Sequence, residues 1–522
     1  MKRLYQLIGL VGALTLMGAM LGYARNASIT SVFGLSGDSD AYFVAVFIPT
    51  TLQAILVLGA LAPALVHVYV NYVEQGKPED ARITLSSVVN LATISIAALV
   101  LIGMIFSRAL VSVIAPGLSE QSATAAAHLM YFTLPLLLFI CLASLLGPIL
   151  NTKEHFLTPA LNSVVMNVFA IAFVIVGGKT IGITAAGAGL LVGGVAHVAL
   201  LMVFLRRKGI TYAPTIHLRH PGVRRVLAQS APVAIYMGVA YCAPLIERLI
   251  ASTKGTGAVS MMAIAVTICT LPTTVFNGSL GVIIYPRFVR LAATARAELA
   301  PAMMQAARLT LVVLIPATLL IIAASVPLTR LAYGPGKVAP EDVRIGGHVL
   351  AAYVLGISAV GMTLLLQKGI FAAGDFVTPL KAELATIGLY AGAAVGLSHV
   401  WSVTGLALAR AGDYVATMLV TYWLVRHASG VPSPRRLVAF ALRPLLAAGV
   451  AVAVYYAAFL VVDRAHSSPS YLLTAAEQIT LLLASGGVYV VVASLLGIEE
   501  VRVLWRAVPS VRSRRAVTQE AA

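Results

Sequence analysis

The sequence predicts an all-α polytopic membrane protein of about fourteen transmembrane helices, built as two six-helix lobes in parallel pseudo-repeat plus two C-terminal helices. Three observations predict it: a composition too apolar for water, a series of apolar stretches of spanning length, and a set of Arg, Gly and Pro residues recurring at one offset.

Of the 522 residues, 60% are hydrophobic and only 11% charged, with a mean hydropathy of +0.94. A soluble domain must cover its outside with polar groups, so this chain takes lipid as its solvent. The formal charge of +17 then serves first to orient the chain in the bilayer. Cys141, Cys242 and Cys269 all lie in apolar runs, without metal-ligand spacing or the even count of a disulfide framework, and read as packing residues.

Taking apolar stretches of about twenty residues as spans, the first seven fall near 4–24, 41–72, 83–106, 123–150, 158–178, 183–205 and 226–250. The second seven fall near 258–285, 306–329, 345–373, 382–401, 404–425, 438–462 and 471–497. The opening stretch exceeds a signal-peptide core and is followed by many like it, so it reads as the first span. The stretch 41–72 is long enough to be tilted or broken near Pro49 and Pro63, because proline lacks a backbone donor and clashes with the preceding turn.

Placing the N-terminus inside puts 23 Lys and Arg residues on inner segments and 8 on outer ones. That asymmetry predicts both termini in the cytoplasm, which requires an even number of spans. The longest connection is the basic inner stretch from Arg206 to Arg225. It reads, with the Arg-rich tail, as orienting charge that touches anionic head groups. No loop is large enough for a catalytic or nucleotide-binding domain, no Walker A pattern occurs, and no nucleic-acid partner or cofactor is expected.

A shift of 223 residues aligns Arg25 with Arg248, Gly34 with Gly257, Pro49 with Pro272 and Pro63 with Pro286. It lays the first two spans on the seventh and eighth, six spans later, so equivalent helices run in the same direction. This is the parallel duplication of many alternating-access transporters. The expected division is an N-terminal lobe over 1–225, a C-terminal lobe over 226–430, two further helices over 431–497 and a basic cytoplasmic tail over 498–522.

Leu21-Gly22-Tyr23-Ala24-Arg25, then Phe33-Gly34, Asp40-Ala41-Tyr42-Phe43-Val44-Ala45 and Ile48-Pro49 resemble the opening motif of the MurJ (MviN) lipid II flippase family. The resemblance continues through Leu150-Asn151-Thr152, Tyr333-Gly334 with Lys337, Phe371 with Asp375, Thr378, Pro379 and Lys381, and Gly405-Leu406-Ala407-Leu408. It implies a member of the multidrug/oligosaccharidyl-lipid/polysaccharide exporter superfamily in the inner membrane, with a V-shaped pair of lobes around a cationic cavity. That cavity would receive a polyprenyl-pyrophosphate-linked sugar, and the flip would be driven by membrane potential or an ion gradient. The remaining implied partners are membrane lipids and the proteins of cell-wall or polysaccharide synthesis. The chain departs from the family pattern at Ala19, Gln53 and Thr267, where arginines are usual, and at Asn26 and Leu58, where acidic residues are usual.

Charges within spans are costly unless they face a cavity or a partner, so they mark the candidate site. Arg25 and Asp40 fall at the outer ends of the first two spans. Arg25 is either a phosphate contact, since guanidinium binds phosphate in bidentate fashion, or an interfacial residue paired with Asp40. Glu247 and Arg248 lie deep in the seventh span, and neighbours on a helix point about 100° apart. Arg248 is assigned to substrate phosphate and Glu247 to cation or proton coupling. Arg410 and Asp413 are three apart on one face and read as a local ion pair. A sodium site found in some relatives would need partners where Tyr390 and Ala394 stand. His128, His197 and His348 are scattered singly, with no metal spacing.

The reading that results is a flippase of undecaprenyl-pyrophosphate-linked sugars, lipid II by resemblance, and not an enzyme. Three alternatives stay open: a flippase for another polyprenyl-linked polysaccharide unit, a drug or cation antiporter of the same superfamily, and an inactive scaffold in a cell-envelope complex.

Overall fold

In lipid every backbone polar group must be satisfied within its own segment, and the apolar runs of this chain accordingly fold as helices. The computed structural model describes residues 2–375, 377–426, 433–465 and 470–501. The first part of the chain forms α1 (Lys2–Phe33), α2 (Gly37–Gln53), a π-helical segment (Ala54–Leu61), α3 (Ala62–Glu74), α4 (Pro78–Ile105), α5 (Ser107–Ile114), α6 (Glu120–Asn151), α7 (Leu157–Ala160), α8 (Asn162–Gly177) and α9 (Thr184–Arg207). The second part forms α10 (Pro221–Ala240), α11 (Cys242–Ser252), α12 (Ala258–Thr294), α13 (Arg296–Ala323), α14 (Ser325–Tyr333), α15 (Pro340–Val354), α16 (Ile357–Ala372) and α17 (Val377–Val425). The last two are α18 (Pro434–Ala465) and α19 (Tyr471–Leu495).

Among the described residues, ten helical stretches are long and apolar enough to cross a membrane, and Asn162–Gly177 and Ala258–Thr274 are shorter apolar helices. Every span expected from the sequence falls on helix. The expected spans 382–401 and 404–425 both lie in α17, where Trp401 (φ −120°, ψ 19°) and Ser402 (φ 51°, ψ −132°) leave helical geometry between them. Side chains such as Leu101, Ile105, Val176, Leu389, Leu483 and Leu495 point outward, which is where a bilayer rather than water lowers their free energy.

The long stretch 41–72 breaks as its prolines suggest, but by widening rather than kinking. Pro49 stays inside α2 and Pro63 stands in the first turn of α3, where its missing N–H costs least. Between them the chain adopts π geometry, and Ala62 N donates to Val57 O, five residues back. Gly59 in this segment meets α10 so closely that a Cβ would stand 2.7 Å from Met237 Cγ.

Helix pairings recur along the chain. In the first part α1 packs on α8, α2 on α6, and α6 on α9; in the second α11 packs on α17, α12 on α15 and α16, and α16 on α17. The turns that follow α1 and precede α12 each hold a glycine in the left-handed region, Gly34 at φ +76° and Gly257 at φ +87°, a conformation glycine adopts without steric cost. The two parts meet where α12 touches α1 and α2, and where α10 touches the π segment, α3 and α4. Helices α18 and α19 pack on α13 around Val312, Tyr455 and Tyr489, and Tyr489 Oη donates to Val312 O at 2.7 Å.

The basic connection after α9 is docked. Asn90 Nδ2 on α4 donates to Ala213 O (3.1 Å) and Thr215 O (2.9 Å), Ser86 Oγ accepts from Ala213 N (3.1 Å), and Ser87 Oγ accepts from His217 N (3.0 Å). Polar side chains within an apolar helix thus satisfy the backbone of a stretch that has no secondary structure of its own.

Candidate functional site: an interhelix seam and a buried ion cluster

Two polar regions stand out, and the first is the seam between the ends of α1, α2, α11 and α12. Asp40, in the first turn of α2, is 1% exposed. Its carboxylate reaches across to the N-terminus of α12 and accepts from Gly257 N (2.7 Å), Ser260 N (2.8 Å) and Ser260 Oγ (2.6 Å). A helix N-terminus presents unpaired N–H groups and a partial positive charge, so a carboxylate is an apt cap there. Ser260 Oγ also lies 2.9 Å from Ser39 Oγ. Further bonds close the same end: Asn26 Nδ2 to Thr267 Oγ1 (3.1 Å), Gly117 N to Ser252 Oγ (3.1 Å) and Tyr23 Oη to Leu328 O (2.8 Å).

Arg25 lies beside this seam, partly buried. Its Nη2 donates to Asn26 Oδ1 at 3.2 Å, and its Nε is buried with no hydrogen-bond partner among the described residues. The pairing of Arg25 with Asp40, one of the two roles read from sequence, does not form; both carboxylate oxygens of Asp40 face α12 instead. The sequence groups Asp40 with the cavity residues, whereas in the structure it ties the two parts of the chain together.

Arg248 on α11 stacks its guanidinium over the Phe47 ring of α2, 4.9 Å from Cζ to the centroid, the geometry of a cation–π contact. Its Nη1 is buried and without a hydrogen-bond partner among the described residues. Its neighbour Glu247 points elsewhere, as adjacent helical residues do, and enters the second polar region.

That region lies within the second part of the chain. Arg410 is 7% exposed and Asp413 is 8% exposed, with Nη1 of Arg410 2.9 Å from Asp413 Oδ2. Arg410 also has Nε 3.7 Å from Glu247 Oε2, a partner one helix away that the sequence spacing does not suggest. Its guanidinium stacks over the rings of Tyr414 (4.6 Å) and Tyr390 (5.3 Å). Tyr353 Oη donates to Glu247 Oε2 at 3.3 Å and lies 3.1 Å from Tyr414 Oη. Glu247, assigned from sequence to ion coupling, is therefore held in an ion pair and a hydrogen bond. Beside this cluster a cavity of about 130 Å³ is lined by Tyr236, Gln367, Glu383, Arg410, Asp413 and Tyr414. Sequence reasoning does not single out Glu383, Tyr353 or Tyr414; a carboxylate one turn inside a span is the available signal for Glu383.

Three residues that stand where the family pattern has charges, Gln53, Asn26 and Thr267, make side-chain hydrogen bonds, and Asn26 also accepts from Arg25. Gln53 Nε2 donates to Ile140 O (3.1 Å) and Ser144 Oγ (2.8 Å). Asn26 and Thr267, two separate departures in sequence, are bonded to each other. Among the described residues no three His, Cys, Asp or Glu gather closely enough to hold a metal ion. Outside the spans, Asp375 accepts from Val377 N (2.9 Å), Thr378 N (3.0 Å) and Thr378 Oγ1, capping the start of α17. Burial pushes its carboxyl up, but the hydrogen bonds from Thr378 and Val377, with the charge of Lys381, hold it below the ordinary carboxylate value.

A family model described as lipid II flippase MurJ matches residues 29–476, most of the chain. The chain belongs to the MurJ family. A MurJ lipid II flippase of Burkholderia cenocepacia is 28% identical over 393 residues, covering 74% of this chain and 76% of the relative. A probable MurJ of Rhizobium meliloti is 27% identical over 468 residues, covering 86% of each. Among solved structures, a lipid II flippase MurJ in an inward closed conformation superposes with a TM-score of 0.73 at 22% identity, over 92% of this chain and 98% of that one. An inward-facing multidrug resistance MATE family transporter of the MOP superfamily superposes with a TM-score of 0.68 at 14% identity, over 83% and 98%. The fold is the MurJ-like polytopic fold, and the protein is a multi-pass membrane protein of a transporter family.

Proposed function

We propose that this protein moves lipid II, a polyprenyl-pyrophosphate-linked sugar, from the inner to the outer leaflet of the bacterial cytoplasmic membrane by alternating access between two lobes. The lobes are residues 1–225 and 226–430, with 431–497 as an added helix pair and 498–522 as a cytoplasmic tail; both termini are cytoplasmic. Family membership supports the substrate, and the recurring helix pairings support the lobes.

The observation that carries the reading is the placement of Arg25 and Arg248. The 223-residue sequence offset aligns them, each lies beside the interface, and each keeps a buried guanidinium N–H without a partner among the described residues. Two such groups flanking one interface suit a pyrophosphate, which offers acceptor oxygens to both. Asp40 serves as a latch: its bonds to the N-terminus of α12 join the two lobes at the outer end and must part for outward release.

The test has two arms. Depleting a known lipid II flippase and expressing this gene should restore growth, and vesicles containing the purified protein should move a labelled polyprenyl-pyrophosphate glycolipid between leaflets. Neither rescue nor movement would leave a scaffold as the better reading. Reporter fusions at residue 522 should report a cytoplasmic C-terminus; an external one would overturn the assigned direction.

A further inference from the structure

The cluster around Arg410 contains more negative charge than its cations match. Glu247, Glu383 and Asp413 face it, while the guanidinium groups near them are those of Arg410 and Arg248. Asp40 does not enter this count, because the N-terminus of α12 caps it. One carboxylate is therefore in excess over the guanidinium groups, in a region where Glu247, Arg410 and Asp413 are buried and Glu383 is partly exposed, and an unmatched charge within a span is costly.

The contacts single out which one. Asp413 has Arg410 at 2.9 Å, and Glu247 has Arg410 at 3.7 Å and Tyr353 at 3.3 Å. The Glu383 side chain has no ion pair or hydrogen bond among the described residues, and it lines the same cavity of about 130 Å³ as Asp413. The groups facing it are Arg410, Asp413 and Tyr414 from the second half of α17, Tyr236 from α10 and Gln367 from α16. Arg410 also lines the cavity, and its Nε is buried without a hydrogen bond, so the site is polar but incompletely satisfied.

The occupant of such a site is limited by size and chemistry. The cavity admits a few waters, and the carboxylates of Glu383 and Asp413 in its wall repel a pyrophosphate. A metal ion would need several oxygen ligands, whereas here a fixed guanidinium lies between two of the three carboxylates and no metal-holding group of side chains forms among the described residues. A proton needs one oxygen and adds no volume.

We propose that Glu383 is a proton-binding residue, and that its loading and release couple the C-terminal lobe to the proton gradient during the transport cycle. The coupling half of this statement rests on the flippase reading; the binding half does not. Arg410 supplies the mechanical link, since it joins α17 to α11 through Glu247 and so connects the proton site to the helix that carries Arg248.

The binding half is tested on the full-length protein in nanodiscs by infrared difference spectroscopy during acidification. The wild type should show the carbonyl band of a newly protonated carboxyl group; Glu383→Gln should lose it and Glu247→Gln should retain it. A band unchanged in Glu383→Gln overturns the proposal. If that variant does not fold, Glu383→Asp must shift the band, and an unshifted band overturns it equally. The coupling half is tested in vesicles with a labelled polyprenyl-pyrophosphate glycolipid. An outside-acid pH gradient should speed the wild type several-fold, a sodium gradient should not, and Glu383→Gln should erase the stimulation. Stimulation by sodium alone, or a pH response that survives Glu383→Gln, overturns the coupling. A wild type that moves no lipid under any gradient fails the flippase reading, while the infrared band still decides Glu383.

Discussion

Asn26 Nδ2 donates to Thr267 Oγ1 across 3.1 Å, so the two positions where this chain lacks the family's acidic residue and arginine are in direct contact. The pair is one neutral replacement of two charges rather than two independent losses. The two restorations should differ: Asn26→Asp places a carboxylate against Arg25, whose Nη2 already donates to Asn26 Oδ1 at 3.2 Å, whereas Thr267→Arg alone adds a part-buried cation without a matching carboxylate. Asn26→Asp with Thr267→Arg should recover stability beyond the sum of the singles, with a coupling of about 0.5–3 kcal/mol in a double-mutant cycle of thermal unfolding. Strict additivity would show that the contact is incidental.

Asp40→Ala removes the acceptor of three hydrogen bonds at the N-terminus of α12. Leaving buried donors unpaired costs about 1–3 kcal/mol, and that cost falls on the state in which α2 and α12 are joined. Cysteines placed at the seam of this variant should become more accessible to a membrane-impermeant thiol reagent added from outside. Unchanged accessibility would argue against Asp40 as a latch.

Arg248 should matter more to transport than to folding. Arg248→Lys keeps the charge but loses the planar fork, so it should retain part of the activity, whereas Arg248→Ala and Arg248→Glu should abolish it at normal membrane abundance. Normal transport by Arg248→Ala would rule out its role as a phosphate contact.

Arg410 should show the opposite balance. Removing it leaves Glu247 and Asp413 buried without their cation, and breaking a buried pair from one side costs about 3–5 kcal/mol. Arg410→Met should accumulate poorly, and adding Glu247→Gln and Asp413→Asn should restore abundance, as read by quantitative immunoblotting of membranes.

Asp375 gives a pH-dependent term. Its carboxyl is held below the ordinary value in the folded chain, so its stabilising effect is present above the unfolded carboxylate pKa and is lost as pH falls through the folded one. Asp375→Ala should lower stability by about 1 kcal/mol at neutral pH, and the difference should shrink as pH falls through and below the ordinary carboxylate range. A difference independent of pH would assign the effect to packing.

Helices are legible in the sequence because a span must be apolar over a length fixed by the bilayer. The break at Trp401 and Ser402 and the interruption before Pro63 are legible too, from the gap between apolar runs and from proline chemistry. The π geometry of Ala54–Leu61 is not, since its apolar residues suit either helix. The site is legible residue by residue but not in its partnerships. Asp40 and Ser260 are 220 positions apart, and Glu247 meets Arg410 from another helix; spacing along one helix cannot reveal either contact. Glu383 escapes notice because a carboxylate near the end of a span looks like a solvated one until the walls of its cavity are seen.

The docking of the basic connection onto α4 has a consequence for how the protein is made. Synthesis runs from the N-terminus and domains form in that order, so Ser86, Ser87 and Asn90 are in place before Ala213, Thr215 and His217 leave the ribosome. Once bound to them, the connection has little free length, and a short tether confines the next helices to a small volume. Helix α10 therefore begins beside α3 and the π segment, and the later helices assemble against a partner already at hand instead of searching the membrane for it.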